Sequence, residues 1–124
     1  MNLGDYLAVA EAVLQVPAET LKHATRIGSA ESALAAPFAS FGGVVFYPSI
    51  GTQAAILCSR LIRNHPLPDG NKRVALLCML LFLDLNGRIF DTPDQDEFAD
   101  VIELLAEGAM PEEEFVAWVE QRVR

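Results

Sequence analysis

The junction at residues 65–74 constrains this chain more than any other feature. A polar stretch, His65-Pro66-Leu67-Pro68-Asp69-Gly70-Asn71-Lys72-Arg73, runs directly into the most apolar segment, Val74–Leu85. Two prolines keep the polar stretch out of the preceding helix, so one element must end before it and another must begin after it. The apolar run is too short to cross a bilayer, which needs about twenty residues. It therefore reads as a central helix buried on all sides, with a polar loop at its N-terminus.

The loop concentrates chemistry. Asp69 can cap the central helix, and it can equally hold Mg²⁺, a hard ion that takes one or two carboxylates plus phosphate oxygens. Gly70 lets backbone approach a ligand closely. The N–H groups of Gly70, Asn71, Lys72 and Arg73 converge on a helix N-terminus, where the dipole favours an anion. Lys72 and Arg73 add charge and directed donors. His65 is the nearby group whose ordinary titration lies close to neutrality, which suits a general base. Leu67 can plug into the core and fix the loop. A purely structural reading, with Asp69 as N-cap and His65 as helix C-cap, fits the spacing as well. A P-loop is excluded, because it needs a second glycine, a Ser or Thr after the lysine and a preceding strand. Zinc is disfavoured, because no further His or Cys stands nearby.

Length and charge narrow the classes. At 124 residues the chain predicts one domain spanning 1–124, and 52% hydrophobic residues supply one core. The formal charge of −8 repels nucleic-acid phosphates, so direct nucleic-acid binding is not expected. Arg60, Arg63, Lys72 and Arg73 nevertheless bring four of the nine Lys and Arg to residues 60–73. Cys58 and Cys78 form no metal motif and predict buried, reduced thiols, which suits the cytoplasm. No basic segment precedes Lys22, so no secretory signal is expected; neither is a membrane association.

The remaining pattern is helical. Asp5 is placed to cap a helix to about Val16, and Pro17 opens a second to about Ile27, ended by Gly28. A short helix follows over Ser29–Ala36. Gly42-Gly43, set between Phe38-Ala39-Ser40-Phe41 and Val44-Val45-Phe46-Tyr47, is a hairpin signal within Phe38–Pro48. Helical periodicity returns over Gly51–Asn64. Asn86-Gly87 ends the central helix. Thr92-Pro93 starts another that stops at Gly108. Pro111 opens the last, with Arg122 and Arg124 at its close. Trp118 reads as a core anchor.

Taken together, residues 65–73 resemble the core motif of the Fic/Doc family, H-x-F-x-[DE]-[GA]-N-[GK]-R. Lys72-Arg73 and the following Val74-Ala75-Leu76 are similar to the Doc (death-on-curing) branch. AMP-transferring Fic proteins usually carry Gly before that Arg and a second Arg three residues later, where Leu76 stands here. Glu31-Ser32-Ala33-Leu34, Tyr47-Pro48, Asn64, Phe82-Leu83 and Asn86-Gly87 extend the similarity over residues 25–90. Leu67 departs from the family Phe, and the resemblance leaves the loop slightly looser there. The resemblance implies a compact all-α bundle of about six to seven helices with a small β-hairpin flap. A target segment would pair with that flap at Val45, Phe46 and Tyr47. It further implies a toxin that, with ATP and Mg²⁺, moves the γ-phosphate to a Thr or Ser hydroxyl of elongation factor Tu and arrests translation. In that scheme His65 is the base, Asp69 holds the metal, and Gly70, Asn71, Lys72 and Arg73 bind phosphates. Transfer of AMP, and a catalytically weak partner of an antitoxin, are the alternatives. The family's inhibitory [ST]-x-x-x-E-[GN] motif is absent; its nearest match, Glu107-Gly108, has Glu103 at the Ser/Thr position. Inhibition in trans by a Phd-like antitoxin is implied instead.

Overall fold

The computed structural model describes residues 1–124 as an all-α bundle of seven helices with one small antiparallel hairpin. No helix is long and apolar enough to cross a membrane. Helix α1 (Leu3–Leu14) is capped by Asn2, whose side chain accepts from the Asp5 backbone while the Asp5 carboxylate accepts from the Asn2 N–H. Asp5 is thus the returning half of a capping box rather than the cap itself.

Helix α2 (Ala18–Ala24) stops three residues short of the expected Ile27, and α3 (Ile27–Ala35) starts there. Gly28 lies in the first turn of α3 and terminates nothing. The cause is tertiary. The Thr25 hydroxyl donates to the Leu21 carbonyl at 2.5 Å, and the Arg26 N–H donates to the Pro66 carbonyl at 2.9 Å. A partner forty residues away thus takes the Arg26 N–H out of the α2 ladder, while the Arg26 carbonyl accepts from Ala30 and opens α3. A 3₁₀ turn, Ala36–Phe38, leads into β1 (Ser40–Phe41) and β2 (Val44–Val45), in register Ser40↔Val45 and Phe41↔Val44. Gly42 and Gly43 have φ of 57° and 81°, the two positive values a type I′ turn demands. Phe41, Val44, Val45 and Phe46 are all more than half exposed. The hairpin therefore does not serve as a cover for the core.

Helix α4 (Ile50–Asn64), capped by Ser49, is the true centre of the bundle and packs on α3, α7 and α5 (Asn71–Leu85). This corrects the expectation for Val74–Leu85. Helix α5 buries Val74, Ala75, Cys78, Met79, Phe82 and Leu83 against α4 and α1, but Leu77 and Leu85 are exposed. An apolar run supplied more greasy surface than its neighbours cover. Helix α6 (Gln95–Glu107) ends at Gly108 with φ 78°, and α7 spans Glu112–Glu120. Arg122 lies beyond the last turn of α7 but closes it, donating through Nη1 to the Trp118 carbonyl at 2.9 Å, whereas Arg124 does not. The last residues pair with 89–91, with Asp91 N–H to Arg122 O at 2.7 Å and Arg124 N–H to Ile89 O at 2.8 Å. Trp118 is half-buried among Phe90, Phe98 and Phe115, with the Arg122 guanidinium 4.2 Å from its ring centre.

Twenty-five buried residues form a single core cluster, which includes Tyr6, Leu57, Leu61, Leu67, Phe98 and Phe115. Both cysteines are free and buried. Burial, with Asp5 nearby, pushes the Cys78 thiol up to about 12, so it is not a nucleophile.

Candidate active site

The loop between α4 and α5 is held from three directions. Leu67 is inserted into the core at 1% exposure, fixing the midpoint of the loop. Asn71, the first residue of α5, turns its side chain back. Its Oδ1 accepts from the Leu67 N–H at 3.0 Å and its Nδ2 donates to the Leu67 carbonyl at 2.8 Å. Third, the start of α3 clamps the end of α4. Arg26 donates through Nη2 to the Asn64 carbonyl at 3.0 Å and to the His65 carbonyl, while Asn64 Nδ2 donates to the Ser29 carbonyl at 3.0 Å.

Gly70 is the N-cap of α5 with φ 77°, and no side chain caps the helix. Asp69 is therefore not a cap, although its position allowed it. Its carboxylate is exposed and accepts no hydrogen bond from the protein. The first N–H to donate within α5 is that of Val74, to the Gly70 carbonyl at 3.0 Å. The N–H groups of Asn71, Lys72 and Arg73 are left without intrahelical acceptors, as at any helix start. A Cβ at position 70 would collide with Leu14 Cδ2 of α1, so α1 backs the cradle directly.

His65, Asp69, Gly70, Asn71, Lys72 and Arg73 line one cavity of about 470 Å³, closed by Ile62 and Ala106. Asn71 faces it through backbone only, because its amide is engaged inside the loop. Lys72 is ion-paired with Glu103 of α6. Arg73 has no carboxylate partner. The His65 imidazole is exposed and makes no hydrogen bond to protein. No cluster of three or more His, Cys, Asp or Glu could hold a metal. A hard cation on Asp69 would need phosphate oxygens and water to complete its shell, which fits Mg²⁺ and not zinc.

The flap residues stand apart. Val45 and Phe46 point into solvent, and none of Val45, Phe46 and Tyr47 lines the His65 cavity. Tyr47 connects to it indirectly. Its hydroxyl accepts from Arg60 Nη2 at 3.4 Å, and Arg60 Nε donates to Glu112 at 3.0 Å. Glu112 also accepts from Ser59 at 2.6 Å and pairs with Arg63 at 3.4 Å. Burial works against the Glu112 charge, but the bonds from Arg60 and Ser59 and the nearby cations outweigh it and hold its pKa below the ordinary value. Ser59, Arg63, Glu112 and His65 share a second cavity of about 560 Å³, walled by Leu105–Glu107, Gly108, Met110 and Pro111. These two cavities meet at His65, which also lines a third, of about 380 Å³, together with Arg26. Arg26, Leu14, Glu103 and Glu112 complete the surroundings of the loop, each across a tertiary contact.

The family model described as Fic/DOC matches residues 3–83, well over half of the chain. The chain belongs to the Fic/DOC family. The Toxin Doc of Mycolicibacterium smegmatis is similar to this Fic/DOC protein, with 45% identity over 60 residues, which is 48% of this chain and 46% of that one. The chain thus spans about half the length of the curated relative it matches. No solved structure gives a significant match. Within this Fic/DOC chain every polar position of the motif is present, and Leu67, which replaces the family Phe, is fully buried.

Proposed function

We propose that this protein is a Doc-like toxin of a toxin–antitoxin system, acting as an ATP- and Mg²⁺-dependent phosphotransferase. Its acceptor is a Thr or Ser hydroxyl of elongation factor Tu, and the outcome is arrested translation in the cytoplasm. A Phd-like antitoxin restrains it in trans. The observation that carries the reading is the shared cavity, in which a base, an unengaged carboxylate and a helix N-terminus with a free cation converge. Family membership and the similarity to Toxin Doc support it.

In the proposed reaction His65 takes the proton of the incoming hydroxyl. The hydroxyl oxygen forms a bond to the γ-phosphorus as the bond to the departing ADP oxygen breaks. The N–H groups of Asn71, Lys72 and Arg73, with the Arg73 guanidinium, bind the non-bridging oxygens, so positioning and charge neutralisation do most of the work. Asp69 would hold Mg²⁺, which supplies further neutralisation when bound. Leu76 stands where an AMP-transferring relative would carry its second Arg.

The test is intact-mass spectrometry of elongation factor Tu after incubation with the protein, Mg²⁺ and ATP. A gain of one phosphate, lost in His65→Ala with the fold retained, is expected. A gain of AMP would replace this reading with nucleotidyl transfer. Full activity in His65→Ala would remove His65 from its role.

A further inference from the structure

His65 presents an unusual problem for a general base. A histidine in that role is ordinarily oriented through its second ring nitrogen by a carboxylate or carbonyl. Here the imidazole makes no hydrogen bond to any protein group. Its backbone, moreover, is left-handed, with φ 47° and ψ 57°, a conformation uncommon for any residue with a Cβ, although His enters it more readily than most. Something outside the side chain must set the direction of the ring.

Beyond the helix-ending bond from the His65 N–H to the Leu61 carbonyl at 3.3 Å, the structure supplies one group able to do so. Arg26 Nη2 donates to the carbonyls of both Asn64 and His65, and the Arg26 backbone N–H donates to Pro66 O at 2.9 Å. Three consecutive carbonyls, from one residue before the histidine to one after it, are thus held by a single residue. The bonds fall at the C-terminus of α4, where the exposed carbonyls and the helix dipole favour a cation. A guanidinium suits this task better than an ammonium, because its planar fork is preorganised. Downstream, Leu67 and Asn71 fix the other flank.

We infer that Arg26 is a positioning residue for the transfer reaction: it holds the left-handed turn at His65 and thereby aims an imidazole that no side chain orients. This inference rests on His65 acting as the base in the reading above. It separates Arg26 from the cradle, so its loss must affect the chemical step and leave nucleotide binding alone.

The experiment compares wild type, Arg26→Lys and Arg26→Ala in three measurements: kcat for phosphate transfer, Kd for ATP, and the ¹³Cα and ¹³Cβ shifts of His65, which report its backbone conformation. For Arg26→Ala, kcat should fall roughly 10- to 100-fold, the scale of a misplaced reacting group, with Kd for ATP unchanged within about twofold. The His65 shifts should leave their left-handed values. Guanidinium chloride at about 20 mM, far below the molar range that unfolds proteins, should restore part of both. Arg26→Lys should lie between the two, and it carries the comparison if the alanine variant does not fold. Unchanged His65 shifts, or a loss that falls on Kd instead of kcat, would overturn the inference. If the wild type transfers no phosphate, the functional reading fails, and the shifts still decide whether Arg26 holds the turn.

Discussion

Replacing Asn71 by Ala tests the most direct structural claim about the loop. Asn71 is 7% exposed, and its amide forms two bonds with Leu67, one to its N–H and one to its carbonyl. Neither Leu67 group has another backbone partner. Removing the amide therefore orphans a buried donor and a buried acceptor, at about 1–3 kcal/mol each. A helix-favouring Ala at the first position of α5 offsets about 0.5 kcal/mol, which leaves a net loss of roughly 1.5–5.5 kcal/mol. With 124 residues and an unfolding entropy of roughly 2.1 cal/mol/K per residue, the Tm should fall by about 6–21 °C. Urea denaturation measures the free energy, and calorimetry with inorganic tripolyphosphate measures the cradle. The contrary hypothesis, that the amide is a phosphate ligand, predicts the reverse: unchanged stability and lost affinity. A ΔΔG below about 0.5 kcal/mol, the level of a surface substitution, would refute the clamp. Asn71→Asp sharpens the test. Its carboxylate can accept from the Leu67 N–H but faces the carbonyl, so ionisation is disfavoured in the folded state. Such a raised pKa gives stability that is lost as pH rises, so the deficit relative to wild type should shrink on acidification.

Two further perturbations probe the surroundings of the loop. Gly70→Ala places a Cβ at φ 77° and against Leu14 Cδ2; the left-handed strain alone is roughly 1–2 kcal/mol. In a double-mutant cycle with Leu14→Ala, chemical denaturation should show part of the penalty relieved, whereas strict additivity would mean that the contact contributes nothing. Glu112 has its pKa lowered in the folded protein, so its contribution is present above the ordinary carboxyl value of 4.5 and fades as pH falls through the lower folded value. Glu112→Gln should therefore be less stable than wild type near neutrality, with the gap narrowing below pH 4.5; a constant gap in melts across that range would assign the loss to packing alone.

The parts of this fold that were legible in the sequence are those encoded locally. The Gly42-Gly43 turn, the Asn64–Asn71 break and the Gly108 stop each rest on residues within a few positions of one another. The boundary between α2 and α3 was not legible, because the acceptor of the Arg26 N–H is Pro66, and no window of sequence contains both. The identity of the central helix misled for a different reason. Helix α5 is more apolar than α4, but α4 touches more neighbours, and burial follows position in the bundle. In the site, the loop residues were visible as a set, while their division of labour was not. An Asn beside a phosphate cradle reads as a ligand, and only the distances to Leu67 show its amide turned inward.

The family match ends at residue 83, and that boundary divides the site unequally. The α3 clamp, the loop and the cradle all lie within 3–83; the wall formed by Leu105–Glu112 lies beyond it. Between Arg88 and Arg122 the chain carries eleven of its seventeen acids and no Lys or Arg. Of the cations near the cavities, Arg60 and Arg63 are paired with Glu112 and Lys72 with Glu103. Arg73 alone is left unpaired there, at the helix N-terminus. One side of His65 thus offers a polyphosphate an unpaired cation, whereas the other side offers Glu107 and an arginine, Arg63, already committed to Glu112. On the proposed reading this keeps the nucleotide's phosphates on the cradle and leaves the larger cavity to the acceptor polypeptide. The matched residues then carry the shared chemistry, while the choice of target falls to the wall that this chain builds outside them.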